Sequence, residues 1–217
     1  MSSDRPSDAP SPRAEGAEPS ARAELDLASL LRLRGGPLVE ALEHHLPGAR
    51  EHAEATASYA FAGAVGLGFD RAQCEVAREA AILHEVGLIY VPAAIAAKPE
   101  EQRDDAEAAA WAEHYEAGYR LARGAGIPEH ACSWLLRARE RYDGSGPERF
   151  AGDKIPLESR LIRAACRCQT ALASSPGTGE KAPVRVAIET LAGRAGAELD
   201  PRVVAALTAI LERSADG

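Results

Sequence analysis

The stretch Ala80-Ala81-Ile82-Leu83-His84-Glu85-Val86-Gly87-Leu88-Ile89-Tyr90-Val91-Pro92 constrains this chain more than any other. It is an apolar run carrying a histidine and a carboxylate side by side, with Gly87 two residues on and Pro92 five after that. Such a run belongs in a core, where polar groups need partners. A helix that ends here offers one metal ion a nitrogen from His84 and an oxygen from Glu85. Read alone, the run is more simply a buried helix whose polar pair satisfies its own C-terminus.

The core must come mostly from Ala, Leu, Val and Ile, because aromatics are only 5% of the 217 residues while hydrophobic residues are 46%. That composition suits closely packed helices. A net charge of -8 without a basic run argues against nucleic-acid polymers and membranes as partners, leaving room for a local basic pocket. No apolar run approaches the ~20 residues that span a bilayer, and Met1 to Ser20 shows no signal-peptide pattern. The expected compartment is the cytoplasm. Cys74, Cys132, Cys166 and Cys168 lack C-x-x-C spacing and read as buried free thiols.

Residues 1–24, rich in Ser, Pro, Ala, Asp and Glu, read as a disordered tail before one helical domain at 25–217. Leu25–Leu33 and Pro37–Leu46 read as two short helices parted by Gly35-Gly36. Glu51 to about Leu67 is a helix with Ala55, Tyr59, Ala62 and Val65 on its apolar face and His52 in its first turn. Asp70 caps a helix from Arg71 to about Val86. Further helices are expected at Ala106–Arg123, Glu129–Glu140, Leu157–Ala173, Val184–Arg194 and Pro201–Glu212, with a dense turn at Arg141 to Pro147. Little of the chain alternates with period two, so the fold class is all-α.

Taken together, these segments resemble the HD-GYP family of bacterial phosphohydrolases, from about Leu38 to Leu211. His52 stands where the family has the His of its first metal-binding helix. Ile82 to Pro92 resembles its Leu-His-Asp-Ile-Gly-Lys-Ile-Gly-Val-Pro stretch, and Lys98-Pro99 follows at the family's distance. His114-Tyr115-Glu116-Ala117-Gly118-Tyr119 is similar to its His-Pro-Glu-x-Gly-Tyr. Glu140-Arg141-Tyr142-Asp143-Gly144-Ser145-Gly146 is similar to its Glu-Arg-Trp-Asp-Gly-Ser-Gly. Gly152, Ile155 and Pro156 fit its Gly-x-x-Ile-Pro, and Asp200-Pro201 opens its final helix. The resemblance implies an HD-type helical bundle. In active members two or three metal ions, often iron or manganese, activate a water against a phosphodiester, usually that of cyclic di-GMP.

The chain departs from that pattern at the chemistry. Glu85 stands for the bridging Asp, Leu88 for a phosphate-contacting Lys, Ala138 and Arg139 for two His, and Cys166 for an Asp. The Tyr of Gly-Tyr-Pro is absent, since Gly146 runs straight into Pro147. The metal positions that the resemblance implies are therefore His52, His84, Glu85, His114 and Cys166, as vestiges. Glu85 is the one candidate left for a catalytic base. His52, His84, Glu85 and Cys166 hold the four positions that bind a single ion in mononuclear HD proteins, and their donor types suit zinc.

Two readings stay open. In the first, the domain is catalytically degenerate. It binds a cyclic dinucleotide through Lys98, Arg120, Arg139, Arg141 and Asp143, or it binds a signalling protein, with no metal or a single divalent ion. In the second, it is a phosphohydrolase with a reduced site, using iron or manganese. The first is favoured because the losses touch separate parts of the mechanism.

Overall fold

Asp70 and Asp104 each start a helix in the same way. Their carboxylates accept from the backbone N–H of Gln73 and Glu107, whose side chains reach back to the capping residue's own N–H. Each reciprocal box satisfies two amides that a helix start leaves unpaired. The computed structural model describes residues 21–174 and 182–216. In chain order these form α1 (Ala21–His45), α2 (Ala49–Gly66), α3 (Arg71–Ile82), α4 (Ala93–Ala96) and α5 (Asp105–Ala112). There follow α6 (His114–Gly124), α7 (Glu129–Arg137), α8 (Leu157–Ala173), α9 (Ala182–Ala192) and α10 (Pro201–Asp216). Short 3₁₀ turns lie at Val86–Tyr90, Glu100–Gln102 and Gly152–Lys154. Among the described residues there is no strand, only one isolated bridge between Ala195 and Leu199. The all-α expectation holds.

Alanine makes the core close-packed. Ala57, Ala60 and Ala64 of α2, Ala77, Ala80 and Ala81 of α3, and Ala164 and Ala165 of α8 are all buried in one cluster, completed by Leu161, Leu191 and Leu207. Small side chains let helix axes approach closely, so each helix sheds apolar surface over its length. A smaller cluster of Leu42, Ala49, Leu88, Val91 and Ala96 sits under the 3₁₀ turn.

Several local expectations are corrected. Residues 25–46 form part of one helix, not two: α1 runs through Gly35-Gly36-Pro37. The glycine lies at a close approach to the α3 end. A Cβ on Gly35 would stand 2.4 Å from the Leu83 Cδ2, so tertiary packing overrides weak helix propensity. The expected tail meets the same helix at Ala21, and residues 1–20 lie outside the described residues. The buried face of α2 is Ala53, Ala57, Ala60 and Ala64, whereas Val65 is 56% exposed. That face lies nearly opposite the expected one at ~100° per residue, because an alanine-rich helix carries little pattern. The expected helix at 106–123 is interrupted at Glu113, between α5 and α6. There the His114 Nδ1 bonds to the Trp111 carbonyl at 2.7 Å. Finally α3 stops at Ile82, and i→i+3 bonds from Leu83 and His84 to Ala80 and Ala81 tighten the chain into a turn.

After that turn the backbone at Gly87 lies directly against α6. A Cβ on Gly87 would stand 1.9 Å from the His114 carbonyl oxygen and 2.5 Å from the Gly118 amide nitrogen. Only a residue without a side chain lets the turn lie against α6.

A second constraint is a buried carboxylate. Glu198, between α9 and α10, receives Arg167 Nε at 2.6 Å, Arg163 Nη2 at 3.0 Å and Arg194 Nη1 at 2.9 Å. Its backbone carbonyl accepts from Tyr142 N–H at 3.2 Å. Burial works against ionisation of Glu198, but Arg163 and Arg167 outweigh it and hold the carboxyl below its usual range. One side chain thus ties α8 to the α9–α10 turn.

Two measurements check this account. Gly87→Ala is expected to cost at least the ~1–3 kcal/mol of ordinary overpacking, since the obstructing atoms are backbone. Gly118→Ala, whose Cβ would come no closer than 3.4 Å to Gly87, should be tolerated; equal losses in urea denaturation would contradict the contact. Glu198→Ala should cost ~1.5–3 kcal/mol, since Arg163 loses the one carboxylate it meets among the described residues while Arg167 keeps Glu100. The Glu198 folded pKa is lowered, so its stabilisation is complete above the unfolded value of about 4.3 and disappears as pH falls through the folded one. Thermal unfolding of the wild type should therefore lose more on acidification than that of Glu198→Ala.

Candidate metal centre and adjoining pocket

Four donors converge from three elements. α2 brings His52 in its first turn, the turn after α3 brings His84 and Glu85, and α8 brings Cys166. One ligand atom from each lies within 4.8 Å of all the others. The His52 and His84 Nε2 atoms are 3.3 Å apart, and Cys166 Sγ is 3.9 Å from His52 Nε2. Glu85 carboxylate oxygens lie 3.5 Å from His52 Nε2 and 3.8 Å from His84 Nε2. A tetrahedral ion with bonds of ~2.0–2.3 Å sets its ligand atoms ~3.3–3.6 Å apart. Two imidazoles, a carboxylate and a thiol at these separations fit one ion with small adjustment.

Hydrogen bonding orients the donors. The His84 Nδ1 lies 2.8 Å from the Ala81 carbonyl. A carbonyl only accepts, so Nδ1 carries the proton and Nε2 presents its lone pair to the group. Burial disfavours a charged His52, but the Cys166 thiol and the Glu85 carboxylate outweigh it and raise the imidazole pKa. Burial would raise the pKa of Glu85, yet the neighbouring His84, His52 and His114 pull it below the usual carboxylate range. Glu85 is thus an anion facing imidazoles, suited to a ligand or to holding a proton donor.

His114 stands apart from the four. Its ring lies 4.3 Å from that of Trp111 and 3.9 Å from that of Tyr115, and burial pushes its pKa down to about 4. It is neutral at ordinary pH, with Nδ1 held by the Trp111 carbonyl. His114 also lines a larger, mostly apolar cavity of about 640 Å³ together with Leu38, Tyr90, Val91 and Arg120.

Beside the four donors is a pocket of about 410 Å³. Its walls include His84, Glu85, Trp111, Tyr115 and Cys166, and its charges are Arg103, Arg139, Arg163 and Arg167 against Glu85 and Glu100. Of the five ligand-binding residues expected from the sequence, Arg139 alone lines this pocket. Arg120 is at the other cavity. Lys98 pairs with Glu107 at 2.5 Å. Asp143 accepts from the Ser145 N–H at 2.9 Å and hydroxyl at 2.6 Å. Arg141 Nε donates to that same hydroxyl at 2.8 Å, so both residues build the turn. Leu88 is 2% exposed in the smaller apolar cluster.

Sequence reasoning missed Arg103, Arg163 and Arg167. The two on α8 had a legible signal: with Cys166 they sit at spacings of three and four, hence on one helix face. Arg103 lies in a connector and carried none.

A family model described as "HD domain" matches residues 38–203. The cyclic di-GMP phosphodiesterase response regulator RpfG of Xanthomonas campestris pv. campestris is 31% identical over 173 residues, which is 78% of this chain and 45% of RpfG. The chain thus spans less than half the length of that relative. Among solved structures, Bd1817, a HDG"Y"P protein from Bdellovibrio bacteriovorus, aligns with a TM-score of 0.64 at 15% identity, over 88% of this chain and 62% of its own. The PgpH phosphodiesterase HD domain of L. monocytogenes, in complex with cyclic-di-AMP, aligns at 0.59 and 16% identity, over 82% of this chain and 96% of its own. At such identities the structures speak for the fold alone. The family match runs from α1 into α10 and takes in all four convergent donors, and on that ground the chain belongs to the HD domain family.

Proposed function

We propose that this protein is a degenerate HD-GYP-like domain that binds a phosphate-bearing ligand, a cyclic dinucleotide foremost, without hydrolysing cyclic di-GMP, as part of bacterial signalling. The supporting observation is what stands beside the four donors. Ala138 is buried in the core and Arg139 is paired with Glu148 at 2.8 Å, where the family resemblance implies two imidazoles. Arg163 Nη1 donates to the Ala138 carbonyl at 2.9 Å. Guanidinium groups next to the donors repel a second divalent ion. Leu88 packs into an apolar cluster and offers no charge to a phosphate. Similarity to RpfG supports the ligand class, and the length it leaves unmatched keeps the whole protein's role a proposal.

The four convergent donors favour one ion, and the Cys166 thiol shifts the preference from iron or manganese toward zinc. Bound there, an ion would supply a Lewis acid, and would activate a water only through a coordination position beyond the four donors. His52, His84, Glu85 and Cys166 would hold it, with the His84 orientation fixed through Ala81. This same convergence is the observation in favour of the second reading, a single-ion phosphohydrolase with an altered substrate.

Elemental analysis of the purified protein should find at most one transition-metal ion per chain; two or more tightly held ions would overturn the single-site reading. Cyclic di-GMP incubated with excess manganese, iron or zinc should be turned over no faster than by the His84→Ala variant. Losing one stabilising donor in a working site already costs ~10²–10³ in rate, and several are absent here. Metal-dependent turnover clearly above that control would establish the hydrolase reading instead.

A further inference from the structure

The arginines of the pocket are not equivalent. Arg167 is consumed by Glu198 and Glu100. Arg163 is held by Glu198 and the Ala138 carbonyl. Both therefore brace the wall, their charges answered by carboxylates. Arg103 is different. Its Nε and Nη2 donate to the carbonyls of Ile95 and Ala96 at 3.3 and 3.4 Å, and its guanidinium carbon lies 4.5 Å from the Trp111 ring centroid. Among the described residues no carboxylate oxygen lies within ion-pair distance of it. Neutral groups hold this cation at the pocket wall, and the carboxylates of Glu100 and Glu85 act on it only from beyond ion-pair distance. Burial lowers its pKa somewhat, the sign of a partly desolvated charge. Arg139 is the second: among the described residues its one partner is Glu148, met through Nη2, whereas Arg163 is held by a carboxylate and a carbonyl together; the Nε atoms of Arg139 and Arg163 are both buried without a partner.

We propose that Arg103 and Arg139 form an anion clamp that holds a ligand's phosphate directly, with no metal ion required. This rests on the ligand-binding reading above and adds which side chains carry it. The lining carries four arginines against two acids, and with Glu198 answering Arg163 and Arg167 and Glu148 answering Arg139, Arg103 is the guanidinium left for an anion. A guanidinium presents two parallel N–H donors matched to phosphate oxygens and stays charged at any ordinary pH. Both side chains are already oriented, so less rotamer entropy is lost when the anion arrives. A metal-bridged phosphate needs its ion first; this clamp does not.

The test is isothermal titration of the full chain with cyclic di-GMP, and separately with inorganic pyrophosphate, each in excess EDTA and again with added zinc or manganese. Trp111, stacked on Arg103, gives a parallel fluorescence readout. Saturable binding in EDTA that weakens with added salt is expected. Arg103→Gln and Arg139→Gln should each weaken it by ~10-fold or more, the scale of a hydrogen bond to a charged group. The exposed Arg185→Gln on α9 controls for net charge. Thermal unfolding of each variant separates lost binding from lost folding, and Arg103→Lys keeps the charge while removing the fork. Binding only with added metal would overturn the clamp while leaving the ligand-binding reading intact. Binding in EDTA that folded Arg103 and Arg139 variants retain would overturn it likewise. Binding of neither probe under any condition would overturn the ligand-binding reading itself.

Discussion

The site depends on backbone lying against backbone at Gly87. The turn after α3 must present His84 and Glu85 to α2 and α8 while the chain continues along α6. Only a missing Cβ brings the turn within reach of the His114 carbonyl and the Gly118 amide. Steric exclusion of this kind is stiff, because neither neighbour can rotate away. It fixes the His84 main chain, and the Ala81 carbonyl then fixes its ring. Two imidazole nitrogens at 3.3 Å are the consequence.

Around that fixed point the donors stand at the edge of the core. His52, Glu85 and Cys166 are only partly buried, so exchanging one donor for another alters charge and softness more than packing. The interior is alanine: Ala138, Ala164 and Ala165 are buried and offer no donor atom, and Ala138 also lines the pocket. Positive charge enters instead as guanidinium on the accessible side of α8 and on the connector before α5. Glu198 answers two of those arginines from below. A fixed cation differs from a bound ion in the chemistry it allows. It binds phosphate oxygens by hydrogen bonds but generates no hydroxide, the distinction between recognition and hydrolysis.

Legibility in the sequence followed the strength of local signals. The Asp70 cap, the Leu157–Ala173 helix and the Pro201 start were readable because capping residues and periodicity act within a few residues. The four donors were readable through the family resemblance, as motifs in order, and the structure brings His52, His84, Glu85 and Cys166 together. His114 shared the motif but not the cluster: the Trp111 carbonyl takes its Nδ1, and neighbouring rings enclose it. Arg120 was chosen by its charge, and Lys98 by its charge and its place in the family pattern. Charge does not say which cavity a side chain faces, and Arg120 lies at another one while Lys98 is occupied by Glu107.

The amino-acid sequence by itself determined the helical class and most element positions, because propensity and capping are local properties; the four convergent residues were named through the family resemblance. It did not determine the buried side of α2, whose alanines look alike in every direction, nor the continuity of α1 across Gly35-Gly36-Pro37. Those were decided by contacts between residues far apart in the chain, Gly35 against Leu83 among them. The pocket's charge was likewise a tertiary matter. Arg103, Arg139 and the Arg163–Arg167 pair stand on three separate segments, and only the fold pairs Arg163 and Arg167 with Glu198 while leaving Arg103 on Trp111 with no carboxylate at ion-pair distance among the described residues. Electrostatic partnership depends on distance in space, which sequence separation does not encode.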